Sequence, residues 1–304
     1  MDLRSIGSLR VSVVGLGCNN FGMRIDDDAT ARVVSAALDA GINFFDTADI
    51  YGATKSEEFL GRALKGRRQQ AIVATKFGMA VDDRRKGARP EYVRAACDDS
   101  LKRLGTDYID LYQLHQPDPS VPIAETLGAL NDLVKAGKVK EIGCSNFSTE
   151  QLDEAARATK AGAARFVSVQ NEYSLVHREP EKSVLSACDR LGLAFLPYFP
   201  LASGLLTGKY DPATGAPKDS RLSLSWTSRF TNEKNVQIAE ALKSFAAARN
   251  HTLLELAFSW LASRPRVASV IAGATSPEQI RANAAAVNWT LTRQDLAEID
   301  RVST

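Results

Sequence analysis

Short apolar runs recur along the chain, and most are followed by a segment whose apolar residues return at helical spacing. The first run, Val11–Gly15, is β-rich and breaks at the tight turn of Gly15, Leu16 and Gly17. Asp26, Asp27 and Asp28 then sit where a helix start favours acids, and a helical pattern over Ala29–Ala40 is closed by Gly41. Ile42–Phe45 is the next strand, and it turns abruptly polar at Asp46. The rhythm continues with strands over Ala71–Thr75, Tyr108–Leu114, Val139–Cys144, Phe166–Val169, Leu193–Pro197 and Val267–Ile271. Helical patterns follow over Ser56–Lys65, Pro90–Leu104, Ile123–Ala136, Glu150–Thr159 and Pro180–Leu191, and later over Asn232–Arg249, Thr252–Ser263 and Pro277–Val287. Thr292 caps a short last helix that ends at Val302. Between Gly204 and Arg229 the rhythm gives way to Gly, Pro, Ser, Lys and Asp, the composition of a long functional loop.

Strands alternating with helices of this length predict a parallel sheet. About eight such pairs in one chain predict an α/β fold of the closed (β/α)8 TIM-barrel type rather than an open doubly wound sheet. No G-x-G-x-x-G fingerprint follows an early strand, which also speaks against a Rossmann domain. The expected architecture is one barrel domain over residues 1–304. It has a lead-in hairpin at the N-terminus, the long loop after the seventh barrel strand and a C-terminal helix.

In such a barrel the C-terminal strand ends converge on one mouth. Here they supply Asp46, Lys76, His115, Ser145 with Asn146, Gln170, Tyr198 and Gly273, with Tyr51 on the loop after Asp46. Any one of these has a plain alternative as a solvated loop residue, and Asp46 alone could simply start a turn. Together they describe a polar site over an apolar core. A phenol is a proton donor whose pKa near 10 falls beside an ammonium. A carboxylate holds that ammonium in place, and an imidazole can orient a substrate oxygen. Tyr51, Lys76, Asp46 and His115 therefore form a general-acid unit for an oxygen that becomes an alkoxide.

Composition narrows the function classes. Lys and Arg number 38 against 36 Asp and Glu, so the net charge of +2 gives no reason to expect nucleic acid or an anionic membrane as partner. Four scattered cysteines without a C-x-x-C pair suit a reducing, cytoplasmic setting. The N-terminus carries no apolar signal-peptide core, and no apolar run is long enough to span a membrane. His115, His177 and His251 are far apart, with no H-x-H or H-E-x-x-H, so no metal site is expected.

GINFFDTADIYG (from Gly41), AIVATKFG (from Ala71), YIDLYQLHQPD (from Tyr108), IGCSNFS (from Ile142), VQNEYS (from Val169), LPYFPLASGLLTGKY (from Leu196) and VIAGATSPEQIRANAAAV (from Val270) resemble, in order, the successive motifs of the aldo-keto reductase family. The resemblance spans essentially the whole chain and is nearest to the longer bacterial members and the potassium-channel β subunits. It implies a barrel that binds NADP(H), with NAD(H) also open, and that reduces a small-molecule carbonyl as a monomer. It also implies roles for particular residues. Tyr51 matches the catalytic acid, Lys76 and Asp46 its tuning pair, and His115 the orienting histidine. Ser145, Asn146 and Gln170 match the residues that bond the nicotinamide carboxamide, and Tyr198 the aromatic stacked on its face. Gly17, Cys18, Asn19 and Asp46 fall beside the nicotinamide half. Phe199, Pro200, Leu201, Ala202, Ser203 and Gly204 fall where the pyrophosphate loop runs. Lys209 and Arg221 match basic groups folded over the cofactor, and Gly273, Thr275, Gln279 and Asn283 match the adenosine and 2′-phosphate end.

The segment from Gly273 to Pro277 also leads into a helix N-terminus, which by itself favours a phosphate but could equally be a plain capped helix. Some positions depart from the family pattern. Ala282 and Gln279 stand where a glutamate and an arginine are common, so the choice of NADPH over NADH would rest on Thr275, Ser276 and Arg221. Cys18 stands where a threonine is common and reads as a small buried hydrophobe. Phe21, Met23, Ile50, Phe77, Gln116, Trp226 and Phe230 are expected to rim the substrate pocket. Two other functions stay open at this point: a slow-turnover NADP(H) sensor subunit, and a barrel aldolase using Lys76 as a Schiff base.

Overall fold

The computed structural model describes residues 1–217 and 220–303. Lys218 and Asp219, inside the expected 204–229 loop, and Thr304 lie outside the described residues. Among the described residues, eight parallel strands form one sheet: the first seven pair in chain order, and the last pairs with the first. They are β3 (Val14–Gly17), β4 (Phe44–Asp46), β5 (Ile72–Phe77), β6 (Ile109–Leu114), β7 (Val139–Ser145), β8 (Phe166–Glu172), β9 (Ala194–Tyr198) and β10 (Val270–Gly273). The sheet closes where the Phe195 N–H donates to the Arg266 carbonyl (2.7 Å) and the Ala268 N–H donates to the Phe195 carbonyl (3.0 Å). The chain is a (β/α)8 barrel, as the alternation of patterns predicts.

The helices form where the local signals stand. Asp26 accepts the Ala29 N–H at 2.9 Å and opens α1 (Asp27–Asp39). The remaining outer helices begin with α2 (Lys55–Ala63) and α3 (Pro90–Leu104), the latter started by a first-turn proline. They continue with α4 (Ile123–Lys135), α5 (Thr149–Ala158) and α6 (Val184–Leu191). α7 (Glu233–Ala247) and α8 (Leu253–Ala262) precede β10, and α9 (Pro277–Ala285) and α10 (Arg293–Ser303) follow it. Ser148 and Thr252 each make a capping box, with Gln151 and Glu255 respectively.

Because side chains alternate along a strand, each barrel strand has an outer apolar set and an inner one. The inner set, including Phe44, Ala74, Leu111, Leu196 and Ile271, joins Ile6, Leu9 and Val11 in one buried cluster. Those three residues belong to a two-stranded hairpin, β1 (Leu3–Ile6) and β2 (Leu9–Ser12), which plugs the N-terminal end of the barrel. Polar residues can then gather only at the other end.

Four local expectations change. The Val11–Gly15 run is divided: Val11 and Ser12 finish the hairpin, and the first barrel strand starts at Val14. The last strand begins at Val270, not Val267, because Val267 forms only an isolated bridge to Phe195. The Pro180 helix splits into a 3-10 turn, Glu179–Lys182, and α6, with Ser183 at φ −158° between them. Within the described residues, the Gly204–Arg229 loop holds the end of a 3-10 segment, Ala202–Thr207, and two more, Arg221–Ser223 and Ser225–Phe230. Leu205, Leu206, Leu222 and Phe230 are buried and anchor it to the barrel.

Candidate active site

The same alternation that places Phe44, Ala74 and Leu111 inside the barrel sends Asp46, Lys76 and Gln113 inward one pleat higher. Lys76 is fully buried, and its Nζ donates to Asp46 Oδ2 at 2.7 Å and to the Thr47 carbonyl at 2.8 Å. Asp46 Oδ1 accepts from Gln170 Nε2 at 2.9 Å and from Gln113 Nε2 at 3.3 Å. Burial works against the ammonium, but Asp46 and Tyr51 outweigh it, so the Lys76 pKa lies above its ordinary value. With its ammonium tied to Asp46 and to the Thr47 carbonyl, Lys76 is placed as a fixed charge and not as a Schiff-base nucleophile.

Tyr51 lies above this pair. The Lys76 Nζ is 5.1 Å from the Tyr51 ring centroid, and the His115 ring meets it edge-on at 5.9 Å. By surface area Tyr51 is half-buried, yet its oxygen is desolvated. Burial pushes its pKa above 10, while Lys76 pulls the other way and only partly compensates. This corrects the expectation of a net-acidified phenol: at neutral pH Tyr51 carries its proton. Burial and the Lys76 charge depress His115 to about 3, so its imidazole is neutral. Its Nδ1 is buried without a hydrogen-bond partner.

A cavity of about 800 Å3 opens over these groups and runs to the start of α9. Asp46, Tyr51 and His115 line it, and Lys76 lies directly beneath Asp46. Ser145, Asn146, Gln170 and Tyr198 face it as well, already tied together. Ser145 Oγ donates to the Gln170 carbonyl (2.7 Å), Asn146 Nδ2 to the His115 carbonyl (2.9 Å), and the Tyr198 hydroxyl to Asn146 Oδ1 (2.8 Å). Phe199, Pro200, Leu201, Ser203 and Gly204 continue the wall, with Lys209 and Arg221 over it. Thr275, Gln279 and Asn283 line it at the α9 end, and Gly17, paired with Asp46 on one side and Gly273 on the other, lines it with Asn19. Gln279 Oε1 accepts the Thr275 N–H at 2.8 Å, and Ser276 caps α9. Asn146, Phe199 and Ser203 at the cavity wall, and Ala202 behind it, have φ between 46° and 62°. Each such residue costs on the order of 1 kcal/mol or more and is held by its surroundings.

Two expected cofactor residues do not reach the cavity. Cys18 and Ala202 are fully buried in the barrel wall and absent from its lining. Burial raises the Cys18 pKa well above its usual value, so its thiol stays protonated. None of the seven expected rim residues lines the cavity either. Phe21 and Phe77 are fully buried, with Phe77 stacked on Tyr112 outside the barrel, and Phe230 packs edge-on against Phe199. Phe77 is one residue past the inward Lys76, so the alternation turns it out.

Arg24, Met79, Tyr210 and Asn20 line the cavity instead and were not foreseen. Gln113, which steadies Asp46, was also missed. Its signal was present, because Gln113 lies two residues before His115 and so shares its inward face.

A model of the aldo/keto reductase family matches residues 13–304. The chain belongs to that family and so to the oxidoreductases. It is 37% identical to the probable aldo-keto reductase 1 of Glycine max over 300 residues, covering 95% of this chain and 84% of the relative. It is 35% identical to the aldo-keto reductase YhdN of Bacillus subtilis (strain 168), covering 99% and 93%. A probable voltage-gated potassium channel subunit beta of Oryza sativa subsp. japonica is 34% identical, covering 95% and 92%. Among solved structures, the glycerol dehydrogenase of Gluconobacter oxydans superposes with a TM-score of 0.86 at 32% identity, covering 99% of this chain and 94% of that one.

Proposed function

We propose that the protein is an NADPH-dependent reductase of aldehydes or ketones, with Tyr51 as proton donor. The observation that carries this reading is the Tyr51 phenol ring 5.1 Å from the buried Lys76 Nζ and 5.9 Å from the His115 ring, at the wall of one cavity. The cavity suits a dinucleotide. Ser203 Oγ and the Arg221 Nε are buried at its wall without partners, and the start of α9 turns its positive dipole end toward it. Lys209 and Arg221 would hold the phosphates, and Ser145, Asn146 and Gln170 would orient the ring. When bound, the nicotinamide supplies the hydride.

The chain's own residues then manage the substrate oxygen. His115, being neutral, can donate an N–H to the carbonyl oxygen and orient it. As that oxygen gains negative charge, Tyr51 transfers its proton to it. The Lys76 ammonium stabilises the phenolate left behind, and Asp46 keeps the ammonium fixed during the transfer. Alcohol oxidation uses the same groups in reverse, with the Tyr51 phenolate taking the proton.

The reading takes the chain as one catalytic domain acting as a cytoplasmic monomer on a small carbonyl compound. Tyr51→Phe tests it: NADPH-dependent reduction of an activated aldehyde should fall by about 10²–10⁴-fold. A near-wild-type rate would overturn the assignment. Assays with NADH beside NADPH test the cofactor choice. The rice relative named as a channel subunit keeps the sensor alternative in view. Several turnovers per second would dismiss it, and cofactor release slower than one turnover per minute would favour it.

A further inference from the structure

We propose that Gln113 is a positioning residue for the proton transfer: it fixes the Asp46 carboxylate, and through it the Lys76 ammonium, beneath Tyr51. This deepens the reductase reading and rests on it.

Four barrel strands meet at one carboxylate. Asp46 ends β4, and its Oδ2 takes the Lys76 Nζ of β5 at 2.7 Å. Its Oδ1 takes the Gln113 Nε2 of β6 at 3.3 Å and the Gln170 Nε2 of β8 at 2.9 Å. Lys76 and Gln113 are direct register partners on adjacent strands, so both reach Asp46 from one level of the barrel. Donors on both oxygens hold the plane of the carboxylate and keep Oδ2 turned to Lys76. The Lys76 ammonium, whose other bond is to the Thr47 carbonyl at 2.8 Å, is then held under the Tyr51 ring.

The two glutamines are not equivalent. Gln170 lines the cavity, whereas Gln113 is fully buried and does not reach it. Gln170 is therefore shared between Asp46 and the cavity, and Gln113 serves Asp46 alone. Because a carboxylate only accepts hydrogen bonds, Gln113 has to turn its NH2 group toward Asp46 and its Oε1 away. That Oε1 is buried without a partner among the described residues. Packing by itself would be met by a leucine, as at Leu111 two positions earlier on the same inward face, with no polar atom left over. The next strand is cut back to admit the amide. Gly143 is the register partner of Gln113 on β7, and a Cβ there would stand 3.3 Å from the Gln113 Cγ and 2.5 Å from the Ser168 Oγ. An amide that leaves its own acceptor unmet and needs a glycine beside it is explained by its N–H on Asp46. A preorganised charge is effective only while its supports hold it where the phenolate forms.

The test compares the wild type with Gln113→Met and Gln113→Leu in stopped-flow single turnovers of bound NADPH with 4-nitrobenzaldehyde. In both variants the rate should fall about 10–100-fold, while the Kd for NADPH, read by fluorescence quenching, changes less than about threefold. The thermal midpoint should stay the same or rise, since the unmet Oε1 is gone. The solvent deuterium isotope effect on the single turnover should increase, because the proton leaves a phenol whose phenolate is less well held. A role confined to packing would instead lower the thermal midpoint and leave the rate and its isotope effect unchanged, which would overturn the proposal. Failure of both variants to fold would overturn it too, by assigning Gln113 to the fold, and so would a loss of NADPH affinity as large as the loss of rate. No turnover by the wild type with this or any other activated aldehyde would sink the underlying reductase reading, and this proposal with it.

Discussion

The Asp46 carboxylate and the Lys76 ammonium meet at 2.7 Å at the closed base of the cavity, contributed by adjacent parallel strands. Neither charge faces solvent, since Lys76 is fully buried and Asp46 nearly so. Breaking one side of a buried pair leaves an uncompensated charge, which costs about 3–5 kcal/mol. Asp46→Asn and Lys76→Met should each destabilise by that order in denaturant titrations. The double variant should lose clearly less than the sum, and strict additivity would show that the two charges do not support each other.

Tyr51 leads to a pH prediction. Its folded pKa lies above 10, so an acid role for it persists through neutral and mildly alkaline pH. The kcat for reduction should show no fall assignable to Tyr51 below about pH 9. A falling limb near pH 7 that vanishes in Tyr51→Phe would mean that Lys76 outweighs burial after all.

His115 links its burial to acid stability. Its pKa drops from the ordinary 6.5 to about 3 in the folded protein. The unfolded chain therefore binds a proton that the folded one refuses between those values. The His115 contribution is complete above pH 6.5 and is lost as pH falls toward 3, by up to about 4 kcal/mol. Urea denaturation across this window should show a shallower loss for His115→Gln than for the wild type.

Asp49 works in the opposite sense. It is 1% exposed, and neither oxygen meets a donor at hydrogen-bonding geometry, although the Tyr92 phenol is close enough to be coupled to it. Burial, with the nearby Glu57 carboxylate, raises its pKa from 3.8 to about 7. The folded state holds a proton that the unfolded chain has lost, so this contribution is present below pH 3.8 and disappears as pH rises through 7. Asp49→Asn should raise stability by about 1–3 kcal/mol at pH 8 and by almost nothing at pH 4. Because the His115 and Asp49 windows overlap with opposite signs, the single variants are needed to separate them. Equal effects at both pH values would refute the assignment.

What the sequence determined by itself was whatever depends on neighbours in the chain. Apolar period and helix-start residues such as Asp26, Pro90 and Thr292 fix the order of strands and helices. Eight parallel strands then have to close, and closure forces Asp46, Lys76, His115, Gln170 and Tyr198 to one end. Contacts between distant segments were decided only in three dimensions. The hairpin claimed Val11 because its apolar side chains fill the barrel floor. Phe77 and Phe21 turned outward because a strand's pleat or a loop's turn, not residue type, chooses the face. The Tyr51 proton is governed by how much water its oxygen loses, and the hydrogen bond from Arg221 Nη1 to Asn19 Oδ1 joins loops 202 positions apart. Solvent exclusion and long-range charge are properties of the packed molecule, so no local pattern carries them.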